Sequence, residues 1–428
     1  MKIAIYGVSR SGKNYLIDKL IPLLAGRSYH LEGSQTLNQM SIEKYGCRFK
    51  ELSETEKDHL RKEFTKLIHK KEEEYGAVFV DGHYSFIAPT GYNVVFTSED
   101  LNAYDVFFYL DTPANRIVEN SRNSNDEKKN TTITEVDIQN WKEFEIRQMA
   151  EICSENKKQF EVLGKHTDQS IKQILKYALE MDNREKITKH IRKLAKQCKN
   201  NLAILLDADG TLIPFDSTDV ISNYLSGVHP QDIKPIFQRF DEYCFDAFYE
   251  VAKYYSKDNK AEDFIAASKK AANEINIRTE FIHLIQNIKA DFFIVTAGFS
   301  HLWKEIVSKY KFKNVHVIAG NTLYDEFIVG QEEKAIVAEV LKNNNKTVVS
   351  FGDALVDKEM FLRSDFGYLI IDERIKSIAT HIQNDDRFQY ISFGNLEIEG
   401  MQKVSFDAAF KQLSEIAIPQ LQDTTGSI

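Results

Sequence analysis

The sequence predicts an α/β protein of two consecutive parallel-sheet domains, the second carrying a helical insertion. Three observations carry that prediction. Short apolar runs alternate with helical stretches from residue 1 to about 163; the alternation restarts at 202 and continues to about 392; and in each half a motif suited to phosphate chemistry follows directly on an apolar strand.

In the first half, strands are expected over 2–6, 29–33, 77–81 and 105–111, with helices over 55–74 and 134–160. In the latter helix Trp141, Phe144, Ile146, Met149 and Ile152 form a partial apolar stripe. A lysine-rich helical stretch over 165–201, with Ile171, Ile174, Leu175, Ala178 and Leu179 on one side, is expected to connect the domains. In the second half, strands are expected over 202–206, 292–295, 315–318, 347–351 and 368–371. The polar end, residues 423–428, should fray.

A chain of 428 residues exceeds what one hydrophobic core usually supports. Two domains are therefore expected, over 1–165 and 202–428, with the connector over 166–201. Hydrophobic residues at 43% and charged residues at 28% supply material for packed cores without the bias of a disordered chain. No apolar run reaches the ~20 residues of a spanning helix, and the first residues lead straight into a core-like strand, so a soluble cytoplasmic protein is expected. A formal charge of -9 gives no global attraction to nucleic-acid phosphates. Cys47, Cys153, Cys198 and Cys244 show no CxxC or His-paired spacing, which argues against a zinc framework or disulfides.

The run Leu205-Leu206-Asp207-Ala208-Asp209-Gly210-Thr211-Leu212 sets two carboxylates two residues apart at the end of an apolar strand, where open parallel sheets bind ligands. A carboxylate nucleophile divides phosphate-ester hydrolysis into two displacements, and a second carboxylate can shuttle the proton. Asp207 suits the first role and Asp209 the second. This Asp-x-Asp-Gly-Thr-Leu run resembles the first motif of the haloacid dehalogenase superfamily, and three further motifs follow in order. Thr296-Ala297-Gly298-Phe299 is similar to the second motif of its phosphoserine phosphatase branch, and Lys334 fits the lysine of the third. Gly352-Asp353-Ala354-Leu355-Val356-Asp357 resembles the fourth.

That resemblance covers about 202–392 and implies a Rossmann-like fold. It implies that Thr296 and the following amides hold phosphate oxygens, that Lys334 neutralises charge, and that Mg2+ is held by Asp207, Asp209, Asp353 and Asp357, with Asp353 the direct ligand and Asp357 its support. It also implies that the insertion over about 213–290 is a cap closing over the site, with an aromatic face of Phe237, Phe240, Tyr243, Phe245, Phe248, Tyr249 and Tyr254. Arg239, Asp241 and Glu242 are cap residues that could touch substrate. Ala354-Leu355-Val356 departs from the small and amide residues usual in phosphoserine phosphatases, so an amino-acid substrate is not implied.

Near the start, Gly7-Val8-Ser9-Arg10-Ser11-Gly12-Lys13-Asn14 lies between an apolar strand and a helical pattern, matching the phosphate-binding loop Gly-x4-Gly-Lys. Its backbone amides, the helix N-terminus and Lys13 would cradle nucleotide phosphates. Asn14 stands where a magnesium-ligating serine or threonine is usual. With Asp81 ending a later strand, the order of elements resembles adenylate-kinase-like nucleotide kinases of the P-loop NTPase class. That resemblance implies ATP as a ligand, Asp81 as a residue orienting the acceptor or a magnesium-bound water, and Arg116, Arg122 and Arg147 as lid arginines.

The expectation is therefore a bifunctional kinase and phosphatase acting on nucleotides or another small phosphorylated metabolite. Two alternatives stay open. The same domain order occurs in phage-type polynucleotide kinase/phosphatase, against which the cap and the acidic balance stand. Alternatively, the first domain binds ATP only to regulate the phosphatase.

Overall fold

The computed structural model describes residues 1–24, 28–122, 133–164, 166–240, 243–372 and 377–417. Asp241, Glu242 and the terminal stretch 423–428 lie outside the described residues. The chain divides into two compact units, Met1–Met181 and Asp182–Ile428.

The first unit holds a five-stranded parallel sheet of β1 (Lys2–Tyr6), β2 (Ser28–Glu32), β3 (Ala77–Asp81), β6 (Val106–Leu110) and β7 (Gln159–Leu163), ordered β2-β3-β1-β6-β7. A separate antiparallel hairpin pairs β4 (Ser85–Ala88) with β5 (Gly91–Val94). β1 and β6 are almost wholly buried, which is why they read as unbroken apolar runs. The helix Glu54–Tyr75 starts on a capping box: Ser53 N donates to Glu56 Oε2 at 2.9 Å, and Glu56 N returns the bond to Ser53 Oγ.

The helix expected over 134–160 spans Glu135–Glu155. It stops at Asn156 because Lys157 turns into the left-handed region (φ 54°), and the chain re-enters the sheet as β7, a strand missed in the sequence. β7 lies at the sheet's edge, with its side chains mostly exposed or half-buried, so it lacks the continuous apolar run that marks β1 and β6. Of the apolar stripe, Trp141 and Met149 are buried.

The helix Thr167–Ala195 contains the boundary between the units. Ile174 and Tyr177 pack with Ile3, Phe108 and Leu163, whereas Ile187, Ile191 and Ala195 pack with Leu205, Phe293 and Val337. Leu179, expected on the apolar side, is exposed.

In the second unit a seven-stranded parallel sheet has the order β10-β9-β8-β11-β12-β13-β14. Its strands are β8 (Leu202–Leu206), β9 (Asp291–Thr296), β10 (Val315–Ala319), β11 (Thr347–Gly352), β12 (Phe366–Ile371), β13 (Phe388–Ser392) and β14 (Gln402–Lys403). The chain proceeds outward from β8 to β10, then crosses to β11 on the other side. The carboxyl ends of β8 and β11 thus flank a topological switch point.

The insertion between β8 and β9 is only partly a separate layer. Its last helix, Thr279–Asn287, places Phe281 edge-on to Phe351 of β11 and so belongs to the sheet's core. Among its earlier helices, Phe245–Tyr255 carries Phe245 and Phe248 into a cluster with Ile328, and Ala297 and Val356 pack against it. Phe237 meets Phe248 and Tyr243 at ring separations of 5.0 and 5.3 Å, so much of the aromatic face is packed on itself.

Candidate active site

Asp207 follows β8 directly, and its backbone N–H donates to Phe351 O at 2.8 Å, extending the β8–β11 ladder by one residue. Gly210 adopts φ 80°, and a Cβ there would lie 2.4 Å from an Asp353 oxygen. Glycine is needed because the loop after β8 runs against the acidic loop after β11. Arg278 holds that loop from outside: its Nε donates to Thr211 O, Nη2 meets Asp372 Oδ2 at 2.7 Å, and its guanidinium lies over Phe393.

Lys334 comes from the first turn of the helix Gln331–Asn343. Its Nζ is 2.5 Å from Asp207 Oδ1 and 2.6 Å from Asp357 Oδ1, and all three side chains are buried. Burial alone would strip the ammonium of its proton; Asp207 and Asp357 overrule it and hold the pKa raised. Asp357 Oδ2 in turn accepts the N–H groups of Asp353 and Ala354, each at 3.1 Å, which fixes the acidic loop. Burial and the neighbouring charge of Asp357 push Asp207 well above the usual carboxylate range, with Lys334 pulling the other way.

Asp207, Asp353 and Asp357 each offer a carboxylate oxygen within 4.8 Å of the others. Three carboxylates against one ammonium leave an excess of two negative charges in a buried space, and all the donors are hard oxygens. That composition fits Mg2+. The Asp209 side chain stands outside this group. Both its oxygens are engaged by Ser217, whose N–H and Oγ donate at 3.0 Å. Burial, with Asp216 adding to it, brings Asp209 up to about 7, which suits a carboxyl that gives and takes a proton near neutrality.

Thr296 closes β9 beside β8, buried, with its Oγ1 accepting from Gly298 N at 3.0 Å. The structure therefore brings Asp207, Thr296, Lys334, Asp353 and Asp357 to the carboxyl ends of β8, β9 and β11 and to the one helix start that faces them. Sequence reasoning missed Ser217 and the pair Asn183 and Glu333. Asn183 bonds both backbone groups of Ile328 and donates to Glu333 Oε1, while Gly330 N donates to Glu333 Oε2, which locks the turn that presents Lys334. Nothing marks Asn183 in sequence, since it sits in a charged helix 150 residues from Glu333.

Residues 204–362 match the haloacid dehalogenase-like hydrolase family. The second unit carries a domain of that family. No curated protein matches the chain. Among solved structures, a HAD family hydrolase from Salmonella enterica subsp. enterica serovar Typhi aligns at 16% identity over 43% of this chain and 71% of its own, with a TM-score of 0.29. A phospho-aspartyl intermediate analogue of phosphoserine phosphatase aligns at 17% over 50% and 99%, with a TM-score of 0.32. Cytosolic 5'-nucleotidase IIIB bound to cytidine aligns at 11% over 53% and 90%, also at 0.32. The matched stretch contains Asp207, Asp209, Thr296, Lys334, Asp353 and Asp357.

In the first unit, the loop after β1 leads into the helix Lys13–Leu20. Gly12 (φ 93°) and Arg10 (φ 67°) take left-handed conformations, and Ser11 N bonds Val8 O. A Cβ on Gly7 would meet Ser11 Oγ at 2.9 Å, so the loop closes tightly. Lys13 is buried and its Nζ donates to Gly7 O at 2.7 Å and Val8 O at 3.3 Å. Burial lowers its pKa to about 8.

Asp81 closes β3 beside β1, accepts from Gly33 N at 3.1 Å and faces His30 Nε2 at 3.6 Å; burial would raise it, but these neighbours and Lys13 hold it lowered. Asn14 Nδ2 reaches Glu32 at 3.4 Å. Ser9, Arg10 and Arg122 line one cavity of about 1090 Å³ with Phe86, Ile87 and Trp141. Arg116 and Arg147 are exposed and do not line it. Arg239 of the second unit is likewise exposed.

Proposed function

We propose that the second unit is a magnesium-dependent phosphomonoester hydrolase that works through an aspartyl-phosphate on Asp207. The observation that carries this reading is the contact of Lys334 with Asp207 and Asp357 in a cluster completed by Asp353, assembled from three distant stretches of chain. Asp207 and Asp353, with Asp357 behind them, would hold Mg2+, which supplies the positive charge a phosphate dianion needs to enter a carboxylate cluster.

In the first half-reaction a carboxylate oxygen of Asp207 bonds phosphorus while the ester P–O bond breaks. The departing alkoxide takes the proton of Asp209. In the second, Asp209 accepts a proton from water as the water oxygen bonds phosphorus; the acyl-phosphate P–O bond breaks, releasing inorganic phosphate and regenerating the Asp207 carboxylate. Thr296 Oγ1 and the amides after it would bind the phosphate oxygens.

The aromatic helix Phe245–Tyr255, packed near Ala297 and Val356, supports a cap that excludes water and favours a small substrate, nucleotides or another phosphorylated metabolite. A phosphate-release screen over phosphorylated metabolites, with Asp207→Asn alongside, tests this reading. Release by Asp207→Asn at the wild-type rate rejects the mechanism. A strong preference for a 3'-phosphorylated oligonucleotide over mononucleotides rejects the small-molecule assignment in favour of nucleic-acid ends.

A second reading concerns the first unit, which we infer binds ATP. Support comes from the tight loop between β1 and the helix Lys13–Leu20, with Lys13 turned onto it and Asp81 on the adjacent strand. Lys13, the loop amides of Gly7 to Gly12 and Asn14 would receive the phosphates and magnesium. Arg10 and Arg122, facing one cavity, would meet the transferring group or the acceptor. Incubation with ATP, Mg2+ and a nucleoside monophosphate panel separates the outcomes: a newly phosphorylated product means a kinase, and binding without product means a regulatory nucleotide site.

A further inference from the structure

The second unit holds a further cluster of metal-binding side chains that the hydrolase chemistry does not use. Cys198 lies just beyond the helix Thr167–Ala195, Asp291 is the first residue of β9 and His316 the second residue of β10. One sulfur, one carboxylate oxygen and one ring nitrogen from these residues lie within 4.8 Å of one another. Asp291 and Thr296 stand at opposite ends of β9, five residues apart or about 16 Å at about 3.3 Å per residue, so this cluster is separate from the phosphate site.

We propose that Cys198, Asp291 and His316 form a binding site for a borderline divalent transition metal, zinc by preference. Thiolate, imidazole and carboxylate are the donors zinc takes, with bonds of about 2.0–2.3 Å; a small closure of the present triangle would reach tetrahedral spacing. The sulfur makes the set unsuited to magnesium.

The surroundings already orient the ligands. Asp291 Oδ2 accepts from Asn200 N at 2.9 Å, which aims the carboxylate and leaves Oδ1 for an ion. Lys346 Nζ binds the backbone oxygens of Cys198 and Asn200 at 3.3 and 2.6 Å and so fixes the turn carrying the thiol. The His316 ring packs on Phe293 at 5.0 Å, and among the described residues neither of its nitrogens has a hydrogen-bond partner. A cavity of about 340 Å³, lined by His316, His190, Leu194 and Val317, borders the His316 side of the cluster.

Among the described residues the Cys198 sulfur makes one hydrogen bond, to Leu194 O at 3.3 Å. Metal binding would displace the proton of the thiol.

The test is a Co2+ titration of the full-length protein in excess Mg2+. The phosphate site has only oxygen donors, so thiolate-to-cobalt charge-transfer absorption reports the sulfur site alone. One equivalent should bind with that absorption and be displaced by Zn2+. Cys198→Ser should abolish the band. Changes behind a metal ligand cost about 10- to 100-fold in affinity, so His316→Ala, which removes a ligand itself, should weaken binding by about 100-fold or more. Circular dichroism of both variants checks their folding, while the wild-type titration stands on its own. Absence of a thiolate band in the wild-type protein, its persistence in folded Cys198→Ser, or Co2+ affinity unchanged in folded His316→Ala overturns the proposal.

Discussion

Lys13 and Lys334 occupy comparable places, each a buried lysine in the first turn of a helix at the carboxyl end of a parallel sheet, yet their electrostatic settings are opposite. Lys334 contacts two carboxylates at 2.5 and 2.6 Å and stays charged. Among the described residues Lys13 hydrogen-bonds the carbonyl oxygens of Gly7 and Val8 and no carboxylate, and burial brings it down to about 8. The first lysine is part of a pre-assembled charge array whose partners are side chains of the protein. The second is a desolvated cation with dipoles as partners, a state suited to receiving an anion from outside.

The largest expected effect separates the two sites outright. Asp207→Asn should lower phosphate release by on the order of 10⁴-fold or more, because it removes the nucleophile, and should leave ATP affinity at Lys13 unchanged. Turnover assays and equilibrium ATP titration on the same preparation check both halves.

Asp209→Asn should cost about 10²- to 10⁴-fold with alkyl phosphates, whose leaving group needs a proton, and markedly less in the first half-reaction of p-nitrophenyl phosphate, whose leaving group does not. An equal loss in burst kinetics with both substrates would refute its role as the acid.

Lys334→Met leaves Asp207 and Asp357 buried without their cation. It should destabilise the second unit by about 3–5 kcal/mol in the absence of divalent ions, measured by urea unfolding, with part of the loss restored by adding Asp357→Asn. Lys13→Met breaks no direct ion pair, although Asp81 loses one of the charges that hold it lowered. Its main consequence should be a loss of ATP affinity of about 1.5–3 kcal/mol, or about 10- to 100-fold.

The smallest effect is one of pH. With its folded pKa of about 8 below the ordinary lysine value of 10.5, Lys13 carries an unfavourable buried charge below pH 8. In the nucleotide-free protein that cost is relieved as pH rises from about 8 to 10.5, so the site should gain stability over that window. The proposed ATP site would use the charged form, so its affinity should fall as pH rises past about 8. Calorimetric titrations at several pH values should show this in wild type and lose it in Lys13→Met.

Much of both sites was legible because each element announces itself locally. β1, β8 and β9 are largely apolar runs, and Gly7, Asp207 and Thr296 stand at or just beyond their ends. The edge strand β7 and the short β14 lack that signal, and the β4–β5 hairpin is largely exposed, so none stood out in sequence. The helix end at Glu155 depended on one residue, Lys157, adopting a left-handed conformation that nothing nearby in sequence requires. Ser217, Asn183 and Arg278 were invisible because their roles are to hold other residues. The spacing argument against zinc saw only neighbours along the chain, whereas Cys198, Asp291 and His316 meet across three elements.

The sequence by itself determined the order of the central strands and main helices and the chemical identity of the acid pair, the lysines and the loops, since these follow from local periodicity and residue type. Only the tertiary structure decided that the Asp209 side chain turns to Ser217 while Asp207, Asp353 and Asp357 converge on Lys334. Which charges become neighbours depends on strand order and on the direction of buried side chains, set by packing that joins residues 127 apart for Lys334 and Asp207, 23 apart for Lys334 and Asp357 and 8 apart for Asp209 and Ser217.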